Sequence, residues 1–193
     1  GFDNYDEFLF RGLASRDNLA ATWRTLQFSV IVTFVQFTLG LILALEFVFP
    51  DLFRGGPWLV FGRLRQAHTN TVMFAWLSGG MIGLWFFIVP RLTGRRLWSE
   101  PLGNLTMILW NLALAVGIVA ILVAQTQSRE YAEFIWIVDV LVMLALLLTM
   151  LNVYMTIGHR VESKLYVSLW YIAGTVIWMP LLYFIGNVMW NPS

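Results

Sequence analysis

The stretch GRLRQAHTN, residues 62–70, concentrates the side chains best able to do chemistry: Arg63, Arg65 and His68, at the start of a long apolar run. A neutral imidazole can ligate a metal, and a guanidinium holds an anionic oxygen through charge-assisted hydrogen bonds. The spacing suits both at once, because Arg65 and Arg63 stand three and five residues before His68, roughly one helical turn towards water. A heme standing on edge, with iron at its centre and propionates at its rim, would use the residues in that order. The same residues also fit a plainer role, as an interfacial histidine and two arginines that snorkel to the membrane surface.

Farther along the same run, Ser78, Gly79, Gly80 and Gly83 remove side-chain bulk. Gly79 lies 11 residues after His68, close to three α-helical turns, so the helical period predicts a shared face for a flat ring or a neighbouring helix. The only other histidine, His159, follows a later apolar run and is expected at the opposite membrane surface, so the two cannot ligate one metal together. If His68 binds a low-spin heme, the second axial ligand has to come from sequence not present here or from another chain. Cysteine is absent, which removes disulfides and thiolate sites. No glycine-rich phosphate loop, zinc-type histidine pair or Ser/His/Asp set is present. Glu46 and Asp139 lie within or near apolar runs, where an ionisable group is costly and is functional, paired or solvated at a helix end.

The elements that must position these residues follow from composition. Of 193 residues, 59% are hydrophobic and only 12% charged, and the mean hydropathy is +0.73. A soluble domain carries about 25% charged residues, so this is the composition of an integral membrane protein. A net charge of +1, with basic residues scattered among apolar runs, excludes a nucleic-acid surface. The opening GFDNYDEFLFRG has acidic residues where a secretory signal has a cationic start.

About five segments are long and apolar enough to cross a bilayer as helices, close to residues 23–49, 69–89, 102–124, 134–157 and 165–190. The expected fold is therefore all-α, a polytopic membrane helix bundle forming a single transmembrane domain over residues 1–193. Turn residues mark the connections PDLFRGGPW, PRLTGRRLWSEP, QTQSREYAE and GHRVESK. Trp23, Trp58, Trp98, Trp136 and Trp190 fall at span ends as an aromatic belt, and Pro180 is expected to kink the last span. One set of surface segments holds Arg11, Arg16, Arg24, Arg91, Arg95, Arg96, Arg160 and Lys164, whereas the other holds Arg54, Arg63, Arg65 and Arg129. The positive-inside rule then predicts a cytoplasmic N-terminus, an outer C-terminus, and His68, Arg63, Arg65 and SREYAE together at the outer face.

Three stretches resemble the catalytic subunit I of cbb3-type cytochrome c oxidases, in the heme-copper oxidase superfamily, with nitric oxide reductases related. FGRLRQAHTNTVMFA is similar to the family's second-helix motif, in which GRLR is followed two residues later by HTN; Gln66-Ala67 stands where the family usually has Pro-Leu. SREYAEFIWIVD resembles the segment before the fourth helix, with Ile137 where a proline is common, and KLYVSLWYIAG resembles the opening of the fifth. The resemblance covers roughly five of about a dozen helices of the subunit I fold.

The resemblance implies that His68 is an axial ligand of a low-spin heme b, that Arg65 and, more weakly, Arg63 hold its propionates, and that Glu130 helps to hold calcium beside them. It implies a segment of a terminal respiratory oxidase in a bacterial inner membrane. Electrons would pass from cytochrome c, through this heme, to a heme-copper centre that reduces dioxygen to water. The copper ligands, the high-spin heme ligand and the second heme b ligand belong to later helices, so the chain alone has no catalytic residues. Its expected partners are the remaining portion of subunit I or a second split chain, cytochrome c-type subunits, and membrane lipid. A nitric oxide reductase segment and a non-catalytic heme-binding or scaffold subunit are the alternatives.

Overall fold

The computed structural model describes residues 16–52, 56–127 and 129–189, and every regular element among them is helical. GFDNYDEFLFRG, Arg54 and Trp190 lie outside these residues. Two compact units meet in sequence between Phe49 and Pro50. The first contains α1, Arg16–Val48, an apolar helix with Glu46 in its last turn. The second contains four helices that are each long and apolar enough to span a membrane: α2, Phe61–Thr93; α3, Glu100–Leu122; α4, Trp136–Gly158; and α5, Val167–Val188. The protein is an integral membrane helix bundle, as its composition requires.

Helix boundaries follow local chemistry. α3 starts where Ser99 accepts the Leu102 N–H through its hydroxyl, with Glu100 and Pro101 in the first turn. It ends in a Schellman motif: Ala124 is left-handed at φ 66°, Gln125 N donates to Ala120 O at 2.8 Å, and Ala124 N donates to Ile121 O at 3.0 Å. α2 stops at Gly94, whose φ of 66° suits a residue without Cβ. α5 runs through Pro180 and widens to a π-helix over Phe184–Val188.

The core of the second unit lies where α3 and α4 meet α2 and α5. Along α3, Thr106, Trp110, Ala113, Gly117 and Ile121 are buried, while Ile108, Leu112, Val116 and Val119 form an exposed stripe on the opposite side. Small residues let the backbones approach, which is how helices associate where solvent hydrophobicity supplies no drive. Gly117 is the tightest case, because a Cβ there would stand 2.6 Å from the Phe134 ring.

Polar contacts fasten each end of the bundle. At one end Asn152 brackets Ser99, accepting from its N–H at 3.1 Å and donating to its carbonyl at 2.9 Å. Near it Trp98 N donates to the Thr156 hydroxyl at 3.0 Å, and Arg95 donates to His159 O at 3.1 Å. His159 thus lies with the α2–α3 connection. His68 lies 25 residues before Thr93 on the same continuous helix, about 35 Å away by helical rise, so the two histidines are at opposite ends.

Candidate functional site

GRLRQAHTN is the opening of α2 rather than a loop before it. Leu64, Ala67 and Asn70, three residues apart, are buried against the bundle, and this face starts the helix two turns earlier than hydropathy alone suggests. Arg65 is left pointing outward. Arg63 turns towards α3 and donates from Nη1 to Leu122 O at 3.3 Å. That carbonyl is in the last turn of α3, where a cation is favoured by the helix dipole and by the unpaired acceptors.

The connection from α3 to α4 folds over the start of α2. Arg65 Nη1 meets Glu130 Oε1 at 3.2 Å, so two residues 65 positions apart form an ion pair. Their side chains are 48% and 63% exposed, and a pair so wetted contributes at most about 1 kcal/mol. Three residues on, Glu133 is only 2% exposed and accepts from Asn70 Nδ2 at 3.1 Å. Between them Tyr131 has φ 63°, a left-handed conformation that costs a side-chain-bearing residue about 1 kcal/mol or more. A cavity of about 40 Å³ opens there, lined by Thr69, Asn70, Met73, Phe74 and Tyr131.

What holds this connection is a second set of buried polar groups. Gln127 donates from its backbone N to Glu133 O at 3.0 Å and from Nε2 to Phe134 O at 2.7 Å. The same Nε2 reaches Asp139 Oδ2 at 3.1 Å, and Tyr183 donates its hydroxyl to Asp139 Oδ1 at 2.7 Å. Asp139, fully buried in the first turn of α4, is therefore paired rather than solvated. It joins the α3–α4 connection to the far part of α5.

His68 is half-buried, and its Nδ1 is buried with no hydrogen-bond partner among the described residues. Buried imidazole nitrogens are ordinarily paired, so an orphan invites a partner from outside these residues. The expected common face of His68 and Gly79 is lost, because a π-helix over Thr71–Ser78 separates them and takes more residues per turn. Gly79 instead packs on Trp110 of α3.

His68, Arg65, Arg63 and Glu130 are thus gathered at one end of the bundle, and no group of three or more His, Cys, Asp or Glu able to hold a metal occurs among the described residues. Residues 20–192 match the family described as cytochrome c and quinol oxidase polypeptide I. The chain belongs to that family. Among relatives, a cytochrome c oxidase subunit 1 homolog from Agrobacterium tumefaciens is 35% identical over 146 residues, covering 74% of this chain and 26% of that protein. The cytochrome c oxidase subunit 1 of Rhodobacter capsulatus is 31% identical, over 74% of this chain and 27% of its own. The cbb3-type cytochrome c oxidase subunit CcoN1 of Stutzerimonas stutzeri is 28% identical over 77% of this chain and 31% of its own. The chain therefore spans between a quarter and a third of the length of these relatives.

Sequence reading singled out Glu130 in SREYAE but passed over Glu133, whose burial marks it as the more constrained carboxylate. The three-residue spacing in EYAE was the available signal. Gln127 and Tyr183 carried none, being polar residues in a loop and near a span end. Trp110 could have been noticed, since it sits in the middle of its span, away from the interfacial belt.

Proposed function

We propose that this chain carries one half of a low-spin heme b site in a terminal respiratory oxidase of the cbb3 type. In this reading residues 1–193 form one transmembrane domain of a larger or split subunit I in the bacterial inner membrane, with the N-terminus cytoplasmic. The observation that carries the reading is the orphaned, buried ring nitrogen of His68 on the helix that also bears Arg65.

His68 would hold the iron through an imidazole nitrogen. Arg65 would hold a propionate. Its guanidinium has five N–H donors, one of which is engaged by Glu130, and its half-exposed position leaves the others accessible. Arg63 is committed to the α3 terminus and contributes positive charge more than a direct contact. Glu130 would offer a carboxylate oxygen to calcium, an ion that takes six to eight oxygen ligands, so further groups would have to complete its shell. The heme, when bound, supplies one-electron iron chemistry between cytochrome c and the heme-copper centre where dioxygen becomes water. The second iron ligand, the high-spin heme and copper belong to the partner portion of subunit I, with cytochrome c-type subunits as electron donors.

The test is His68→Ala in the assembled complex. The expected result is loss of the low-spin b-type signal in the reduced-minus-oxidised spectrum, and an unchanged signal overturns the assignment.

A further inference from the structure

We propose that Trp110 is a positioning residue for His68, acting through the π-helical turn of α2; the inference rests on the reading of His68 as the iron ligand. The π-helix over Thr71–Ser78 begins one residue after Asn70, and the carbonyl of Phe74 is its fixed point. That carbonyl accepts the N–H of Gly79, five residues on, and also the indole N–H of Trp110 at 3.2 Å. A carbonyl has two lone pairs, and both are used here. The neighbouring carbonyl, Met73 O, accepts the Ser78 hydroxyl at 2.8 Å. Side-chain donors therefore reach two adjacent carbonyls of the widened turn.

Gly79 is the reason the indole can come so close. A Cβ at that position would stand 3.2 Å from the indole nitrogen and 3.5 Å from Phe74 O. Trp110 is 1% exposed, so its N–H needs a partner inside the bundle. The Phe74 ring is held from other directions, 5.4 Å from Phe134 and 5.9 Å from Tyr183 between ring centres.

The link to His68 is geometric. The second half of α2, Gly79–Thr93, is anchored by buried Ile82, Trp85 and Val89. An α-helix turns about 100° per residue, and a π-turn absorbs an extra residue, so the π-helix sets the angle of the first half relative to the anchored half. Returning it to α-helix would swing His68 and Arg65 by about 100° for each residue released. The indole, by holding Phe74 O, holds that angle.

The test uses the assembled complex with Trp110→Phe, which keeps an aromatic ring and removes the N–H. Two signals are expected: hydrogen exchange in peptides covering residues 71–79 faster by about fivefold, from loss of one hydrogen bond, and a shifted electron paramagnetic resonance signal of the ferric low-spin heme at wild-type heme content. Faster exchange with an unshifted heme signal makes Trp110 merely structural and overturns the inference, as does no change in either. Should Trp110→Phe not assemble, Gly79→Ala displaces the indole while keeping it, and the same shift is expected; an unshifted signal there overturns the inference equally. If His68→Ala retains the low-spin signal, the ligand assignment fails separately, and the exchange data still report whether the indole holds the π-turn.

Discussion

Replacing Gly117 by alanine tests the close approach of α3 to the segment that carries the candidate site. In an exposed helix the change would stabilise by up to about 1 kcal/mol, because alanine is the better helix former. Here the new Cβ would lie 2.6 Å from both Cδ1 and Cε1 of Phe134 and 3.1 Å from Val138 Cγ1. Ordinary contact begins at 3.4 Å, so the ring must withdraw by 3.4 − 2.6 = 0.8 Å. Phe134 is 1% exposed and lies 5.4 Å from the Phe74 ring, so there is little space to withdraw into. Overpacking of this kind costs about 1–3 kcal/mol, which outweighs the helix-forming gain. The expected outcome is a net loss of up to about 2 kcal/mol in detergent-induced unfolding of the solubilised protein. Gly174→Ala, with nothing within 4 Å of its Cβ, serves as the control and should be neutral or stabilising. A Gly117→Ala protein as stable as the control would refute the packing argument. Where the Phe134 backbone shifts with its ring, the bonds from Gln127 to Phe134 O and from Asn70 to Glu133 should weaken with it.

Tyr183→Phe removes one interhelical hydrogen bond and should cost about 0.6 kcal/mol and no more than about 1.7, the average and the maximum for such bonds within a membrane bundle. Asp139→Ala leaves both the Tyr183 hydroxyl and one side of Gln127 Nε2 without an acceptor and should cost more, about 2 kcal/mol or above. Unfolding measurements on both single variants and the double variant check this; additive losses would mean that the pair does not interact. Glu130→Gln should change stability by less than about 1 kcal/mol, because its partner Arg65 is half exposed. The same variant should lower bound calcium in the assembled complex, measured by elemental analysis, and unchanged calcium would leave Glu130 as a loop residue.

The sequence by itself determined the membrane class, the helical architecture and the placing of His68, Arg65 and Glu130 at one end of the bundle. The reason is that lipid leaves backbone groups no partner, so apolar length dictates helices and alternation of spans dictates sides. It also separated the two histidines. It could not place Asp139, since burial of a carboxylate depends on whether donors such as Tyr183 and Gln127, 44 and 12 residues away, converge on it. Nor could it set the phase of α2: regular periodicity put Gly79 under His68, and a π-helix stabilised from another helix removed that alignment. Glu133 differs from Glu130 by three positions along a turn, and only the left-handed backbone at Tyr131 and the reach of Asn70 bury one and leave the other in water. Hydropathy is a property of each segment alone, whereas these features are decided by pairs of segments meeting, and that is what the tertiary structure adds.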